Sequence, residues 1–148
     1  MNDPAEPAER KDPYWDQRQR NLGIDTHGET LTIAEIKFVE RFLRRGECIS
    51  WIPRDTYACG ELQATYDFYW LSSDGKPWEL KSPRKPDYDA IKRRIRDDMG
   101  KSKTRFIIDL GLFPCTAILR RMLVAYKKKR QITSLAILSE DGSALDVL

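Results

Sequence analysis

The sequence predicts a mixed α/β (α+β) fold, a mixed central sheet with helices on its faces. Three observations predict it. Residues 65–71 and 77–82 are strand-like runs separated by Ser72, Ser73, Asp74, Gly75 and Lys76, and they read as an antiparallel hairpin. Two later apolar runs, 105–111 and 134–138, alternate with helical patterns, as strands joined by crossover helices do. The run at 105–111 is nearly all apolar, as expected of a strand covered on both faces.

Residues 1–29 are rich in Pro, Asp, Glu, Arg and Gln and lack an apolar period. They read as a flexible arm that docks late through Tyr14 and Trp15, ahead of a domain spanning 30–148. Thr32 starts a helix, with Glu35 completing a capping box. Ile33, Ile36, Val39, Phe42 and Leu43 form its apolar stripe, and Gly46 ends it. Residues 48–52 read as a short strand stopped by Pro53, and 54–63 as a loop. Pro83 and Pro86 break the chain after the hairpin. Asp87 caps a helix with Tyr88, Ile91, Ile95 and Met99 inward and Lys92, Arg93, Arg94 and Arg96 outward. Thr116 caps another, with Ile118, Leu119, Met122, Leu123 and Tyr126 inward and Lys127 to Arg130 at its end. After strand 134–138, a turn at Glu140, Asp141 and Gly142 leads to a run that pairs back. The order is helix, strand, strand, strand, helix, strand, helix, strand.

At 148 residues the chain suits one domain, and 41% hydrophobic with 33% charged residues fits a globular protein with a very polar surface. The net charge of +3 demands no polyanion partner by itself, but the cations are clustered. Cys48, Cys59 and Cys115 make no zinc set, even with His27, and predict a reducing, cytoplasmic setting. With one His, in a polar segment, a Ser-His-Asp triad is excluded as a working hypothesis. No apolar stretch has the length of a membrane span.

The hairpin carries the chemistry. Pairing Leu71 with Pro77 sets Trp70 against Trp78 and Phe68 against Leu80. The opposite face then has Tyr69 beside Glu79 and Asp67 beside Lys81. Two carboxylates so close favour a divalent cation, and Mg²⁺ or Mn²⁺ held by Asp67 and Glu79 would lower the pKa of a bound water. Lys81 would neutralise charge at a phosphate. Glu40, at the edge of the first helix's stripe, is a candidate third acid; the plainer alternative pairs it with Arg44. Asp109, in the apolar strand, is either a structural hydrogen-bond hub or part of the site, and the structural role is the favoured one. Lys85 and the basic helix face of Lys92, Arg93, Arg94 and Arg96 are candidates to grip a nucleic-acid backbone. The bland alternative makes the Asp67–Lys81 pair surface decoration, worth about 0 to 1 kcal/mol.

Asp67 followed by Glu79-Leu80-Lys81 resembles the PD-(D/E)xK nuclease motif, and the element order resembles the restriction-endonuclease-like core. The region 36–138 further resembles C-terminal nuclease toxin domains of contact-dependent growth-inhibition and other polymorphic toxins. The matching residues are Glu40 and Gly46, Tyr66-Asp67-Phe68, Gly75 with Trp78-Glu79-Leu80-Lys81-Ser82-Pro83, Ile107-Ile108-Asp109-Leu110, and Leu135-Ala136-Ile137-Leu138. The resemblance implies a nuclease acting on DNA, tRNA or other RNA, with an immunity or inhibitor protein as partner. The toxin group also contains a barnase/RelE-like α+β type that cuts RNA without metal. There Glu79 is the base and Lys81 the stabiliser, with Ser82 or Tyr69 assisting. Because it starts at Met1 with no delivery region, the chain reads as a free-standing protein. A third reading, from another class, is a non-catalytic nucleic-acid-binding module using the basic helices, in which Trp51, Trp70, Trp78 and Tyr57 would stack bases, although their strand positions fit core packing better.

Overall fold

The computed structural model describes residues 12–54, 57–58, 61–62 and 65–148. The main sheet has six strands in the order β1 (Ile49–Trp51), β4 (Phe68–Trp70), β5 (Pro77–Lys81), β6 (Arg105–Asp109), β7 (Ser134–Ser139) and β8 (Ala144–Val147). β1, β4 and β5 pair antiparallel, β5, β6 and β7 parallel, and β8 returns antiparallel on β7. The sheet is therefore mixed, as the alternation of hairpin and crossover helices predicts. The loop expected over 54–63 lies partly outside the described residues, as does Cys59; within it β2 (Tyr57–Ala58) pairs with β3 (Glu61–Leu62).

Helices cover both faces. On one lie α1 (Pro13–Asn21) and α2 (Ile33–Arg44), on the other α3 (Tyr88–Met99) and α4 (Ala117–Arg130). Strand alternation divides the core accordingly. Ile36, Phe38 and Phe42 of α2 pack with Trp51, Phe68, Trp70, Trp78, Leu80 and Ile107. Ile91 and Ile95 of α3, with Leu119, Leu123 and Tyr126 of α4, pack with Phe106, Ile108, Leu135 and Ile137. The three tryptophans are buried, so base stacking on them is excluded by packing.

Thr32 caps α2 as expected: its hydroxyl accepts from Glu35 N, and Glu35 accepts from Thr32 N. Gly46, at φ 91°, ends it. Residues 12–29 contain an element to which no apolar period points. Asp12 caps α1, and Trp15 docks, buried, against α2 beneath the Arg18 guanidinium. One large aromatic supplies the anchoring that a stripe supplies elsewhere.

Two packing expectations are corrected. The hairpin closes with Tyr69 opposite Pro77 and Phe68 opposite Trp78, not Leu71 opposite Pro77. Asp74 decides this: its carboxylate accepts from Lys76 N at 3.0 Å and Trp78 Nε1 at 3.1 Å, so that the strand opposite Pro77 ends two residues earlier. Leu71 N is drawn instead to Cys48 O on the neighbouring strand, 2.9 Å. The change in register is even, so every side chain keeps its face. On α4, Leu119, Leu123 and Tyr126 are buried as expected, but Ile118 and Met122 are 66% and 40% exposed. The helix packs through a narrow seam, leaving those two on its outer side. Among the described residues, no helix is long and apolar enough to cross a membrane.

Candidate active site

Trp78 and Leu80 enter the α1/α2 core, so Glu79 and Lys81 turn toward α3. The inward stripe of α3, Ile91 and Ile95, ends at Asp98, a buried carboxylate one turn further on. Asp98 meets the Lys81 ammonium. The chain then turns sharply: Lys101 N donates to Asp98 O at 2.9 Å, and Ser102 has φ 66°. This folds Lys103 back, so that its ammonium reaches Glu79 Oε1 at 2.8 Å, while Lys81 Nζ lies 3.4 Å from Glu79 Oε2.

Asp67 sits just ahead of β4. Its amide donates to Trp78 O at 3.1 Å, and its Oδ2 accepts from Leu80 N at 2.8 Å. The side chain thus replaces a backbone acceptor where the two strands part. Its carboxylate lies beside Glu79, and each charge opposes the other. Burial, and then Asp67, push Glu79 up to about 7 against the pull of Lys103 and Lys81. Burial also raises Asp67, opposed by the Leu80 N–H and by Arg54, Lys103 and Lys81. Asp98 goes the other way: burial would raise it, but the hydrogen bond and charge of Lys81 hold it below the usual carboxylate range.

A cavity of roughly 960 Å³ opens where these strands end, between the start of α2, the segment after β5 and the loop after β6. Ligand clefts in α/β sheets favour this place, outside the carboxyl ends of strands. Asp67, Glu79 and Ser82 form part of its wall. Glu35 and Arg54 face them: Arg54 contacts Glu35, reaches Glu29 Oε1 at 3.2 Å and stands 3.8 Å from Asp67 Oδ1. On the far side Arg41 joins Asp109 Oδ2 at 3.1 Å and Asp141 Oδ1 at 2.9 Å. Asp109 is therefore the structural hub expected of it; burial raises its pKa and Arg41 opposes that rise. Arg84 and Arg94 complete the rim, exposed and without an ion pair among the described residues.

Of the site residues expected from sequence, the structure brings together Asp67, Glu79 and Lys81 and adds Ser82, whose buried Oγ has no hydrogen-bond partner among the described residues. Lys81 arrives differently than expected. It lies behind Glu79, bound to Asp98, and is not part of the cavity wall. Tyr69 is opposite Pro77 rather than Glu79 and is 43% exposed. Glu40 joins neither the carboxylates nor Arg44; it takes the Arg18 guanidinium, Nε to Oε2 at 2.9 Å, because α1 packs on that side of α2. Lys85, Arg93 and Arg96 are solvent-facing and off the cavity wall. Lys92 stands over the Tyr88 ring at 5.2 Å, beside Asp89. Sequence reasoning missed Glu35, Arg54, Arg84, Asp98 and Lys103 as site residues; of the α3 cations expected to grip a backbone, Arg94 is the one on the cavity wall. Asp98 had a signal, a carboxylate continuing an apolar stripe at helical spacing.

No protein-family profile and no curated protein matches the chain. In fold it is similar to a chain of the "CdiA-CT/CdiI toxin and immunity complex from Burkholderia pseudomallei", with a TM-score of 0.54. The identity is 10%, and the alignment covers 78% of this chain and 82% of that one. The likeness is one of fold.

Proposed function

We propose that this protein is a nuclease that cleaves phosphodiester bonds with Asp67 and Glu79, aided by a hard divalent cation. One observation carries the reading: the buried Glu79 and the largely buried Asp67, each opposing the other's charge, line a cleft whose rim bears Arg84 and Arg94, cations without an ion pair among the described residues. A structural ion pair needs neither the second carboxylate nor an open cleft. The donor set fits Mg²⁺ or Mn²⁺ in kind, since such ions take one or two carboxylates and complete their shell with water and phosphate oxygens. Among the described residues no third acidic, Cys or His ligand joins the group. When bound, the ion would supply an acidified water and charge neutralisation at the phosphate.

The chain's own residues do the rest. Asp67 is fixed by the Leu80 amide, and Glu79 is held by Lys103 and Lys81. Asp98 positions Lys81, so Lys81 tunes Glu79 from behind. Arg84 and Arg94 take the phosphates on either side. One feature favours a second reading: a Glu near 7 is poised as a general base, as a metal-free ribonuclease using a 2′-hydroxyl nucleophile requires. The structure of similar fold is that of a toxin and immunity complex. By that analogy a toxin role, with an inhibitor protein covering the cleft, is proposed here as well.

The test is incubation with total tRNA and with plasmid DNA, each in Mg²⁺, Mn²⁺ or EDTA, beside Glu79→Gln. Cleavage that requires both metal and Glu79 is expected. RNA cleavage that persists in EDTA would select the metal-free mechanism. Cleavage by Glu79→Gln at the wild-type rate, or none by the wild type, would overturn the nuclease reading; intact binding without cleavage would leave a binding module.

A further inference from the structure

The loop after β6 presents a feature that the carboxylate chemistry does not use. Leu112 and Phe113 line the same cavity as Asp67 and Glu79, yet are 71% and 45% exposed. This loop is firmly held. Gly111 N donates to Asp109 Oδ1 at 2.9 Å, and Phe113 N to Leu110 O at 3.2 Å. From the turn after β7, Asp141 N donates to Gly111 O at 2.7 Å and Glu140 N to Phe113 O at 3.0 Å. Arg41 ties Asp109 to Asp141 across the base. The backbone that carries the half-exposed Phe113 ring is thus fixed at the mouth of a cleft rimmed by Arg84 and Arg94, which have no ion pair among the described residues. Phosphate-binding cations beside an accessible aromatic face are the two components of single-stranded nucleic-acid recognition.

We propose that Phe113, flanked by Leu112, is a base-stacking platform, and that the substrate therefore enters this cleft as an unpaired strand. The inference rests on the nuclease reading of Asp67 and Glu79. A base within a duplex keeps its faces covered by its neighbours and cannot lie on the ring, whereas an unpaired base can. Stacking is tolerant of base identity, so the platform selects for strandedness rather than sequence.

The experiment measures binding by fluorescence anisotropy in EDTA. The probes are short labelled single strands of DNA and of 2′-O-methyl RNA, the same strands carrying abasic positions, and the corresponding duplexes. No probe can be cut under either mechanism. Stacking contributes about 1–3 kcal/mol per base, so wild type should bind intact strands about tenfold more tightly than abasic ones. Phe113→Ala should bind both alike, while Phe113→Trp keeps the discrimination. Duplexes should bind more weakly than single strands. If Phe113→Ala discriminates as wild type does, or duplexes bind as tightly as single strands, the platform is refuted while the nuclease reading stands. If wild type binds no nucleic acid at all, both fail, and the exposed Leu112–Phe113 loop is better read as a protein contact.

Discussion

Replacing Glu79 by Gln tests the electrostatics of the site without reference to any substrate. In the folded protein Glu79 titrates near 7, above its ordinary value of 4.5. The folded state therefore holds this proton more tightly than the unfolded state. Its contribution is full below pH 4.5, declines as pH rises, and is lost once pH passes about 7. At about 1.4 kcal/mol per pH unit, the whole loss amounts to about 3 kcal/mol. Gln cannot ionise, yet it can still accept from Lys103 through its side-chain oxygen. Relative to wild type, Glu79→Gln should thus gain about 3 kcal/mol between pH 4.5 and pH 8. Groups shared by both proteins, such as Asp98, largely cancel in the difference. Asp67 does not fully cancel, and the measured midpoint belongs to the Asp67–Glu79 pair. Urea unfolding of both proteins at pH 4.5, 6 and 8, in EDTA, reads the difference directly. A constant offset across that range would refute the argument, because Glu79 would then be as easily ionised folded as unfolded.

Other predictions follow from placement. Arg84→Ala with Arg94→Ala should weaken nucleic-acid binding and lower the salt-dependence slope by about 2, whereas Lys92→Ala should leave the slope nearly unchanged. Glu40→Gln should leave cleavage within about twofold of wild type, and its loss of the partly exposed Arg18 pair should cost no more than about 1 kcal/mol in urea unfolding. Trp15→Ala should cost about 3–5 kcal/mol, since the indole is buried between α1 and α2; a change below 1 kcal/mol would show that α1 is dispensable to the core.

Much of the fold is legible in the chain because its periodicities are clean. Alternation at Phe68, Trp70, Trp78 and Leu80 assigns one face of the hairpin to a core, and those four share one cluster. The all-apolar run ending at Asp109 is buried on both faces. The register was less legible: it depends on an Asp74 side chain closing the turn, a contact no periodicity encodes. Nor was α1, which docks through one indole. Glu40 and Glu35 lie on the same helix, and which one faces the cleft depends on α1 covering the Glu40 side.

By itself the sequence determined the class of the fold and put Asp67 and Glu79 on one face of the hairpin, because side-chain direction in strands has a strict period of two; their direct pairing came from the register that Asp74 sets. It also placed Lys81 on Glu79's face. Only the tertiary structure decided what surrounds those carboxylates. Asp98 reaches them from the last turn of α3 and Lys103 through the turn that follows, Arg54 and Glu35 from the opposite layer, and Arg84 and Arg94 from the rim of the cleft. All of these but Arg84 are distant in sequence from both carboxylates, and their meeting is set by how helices seat on a sheet and how turns close. Burial at that meeting point, rather than residue type, is what raises Glu79 to about 7.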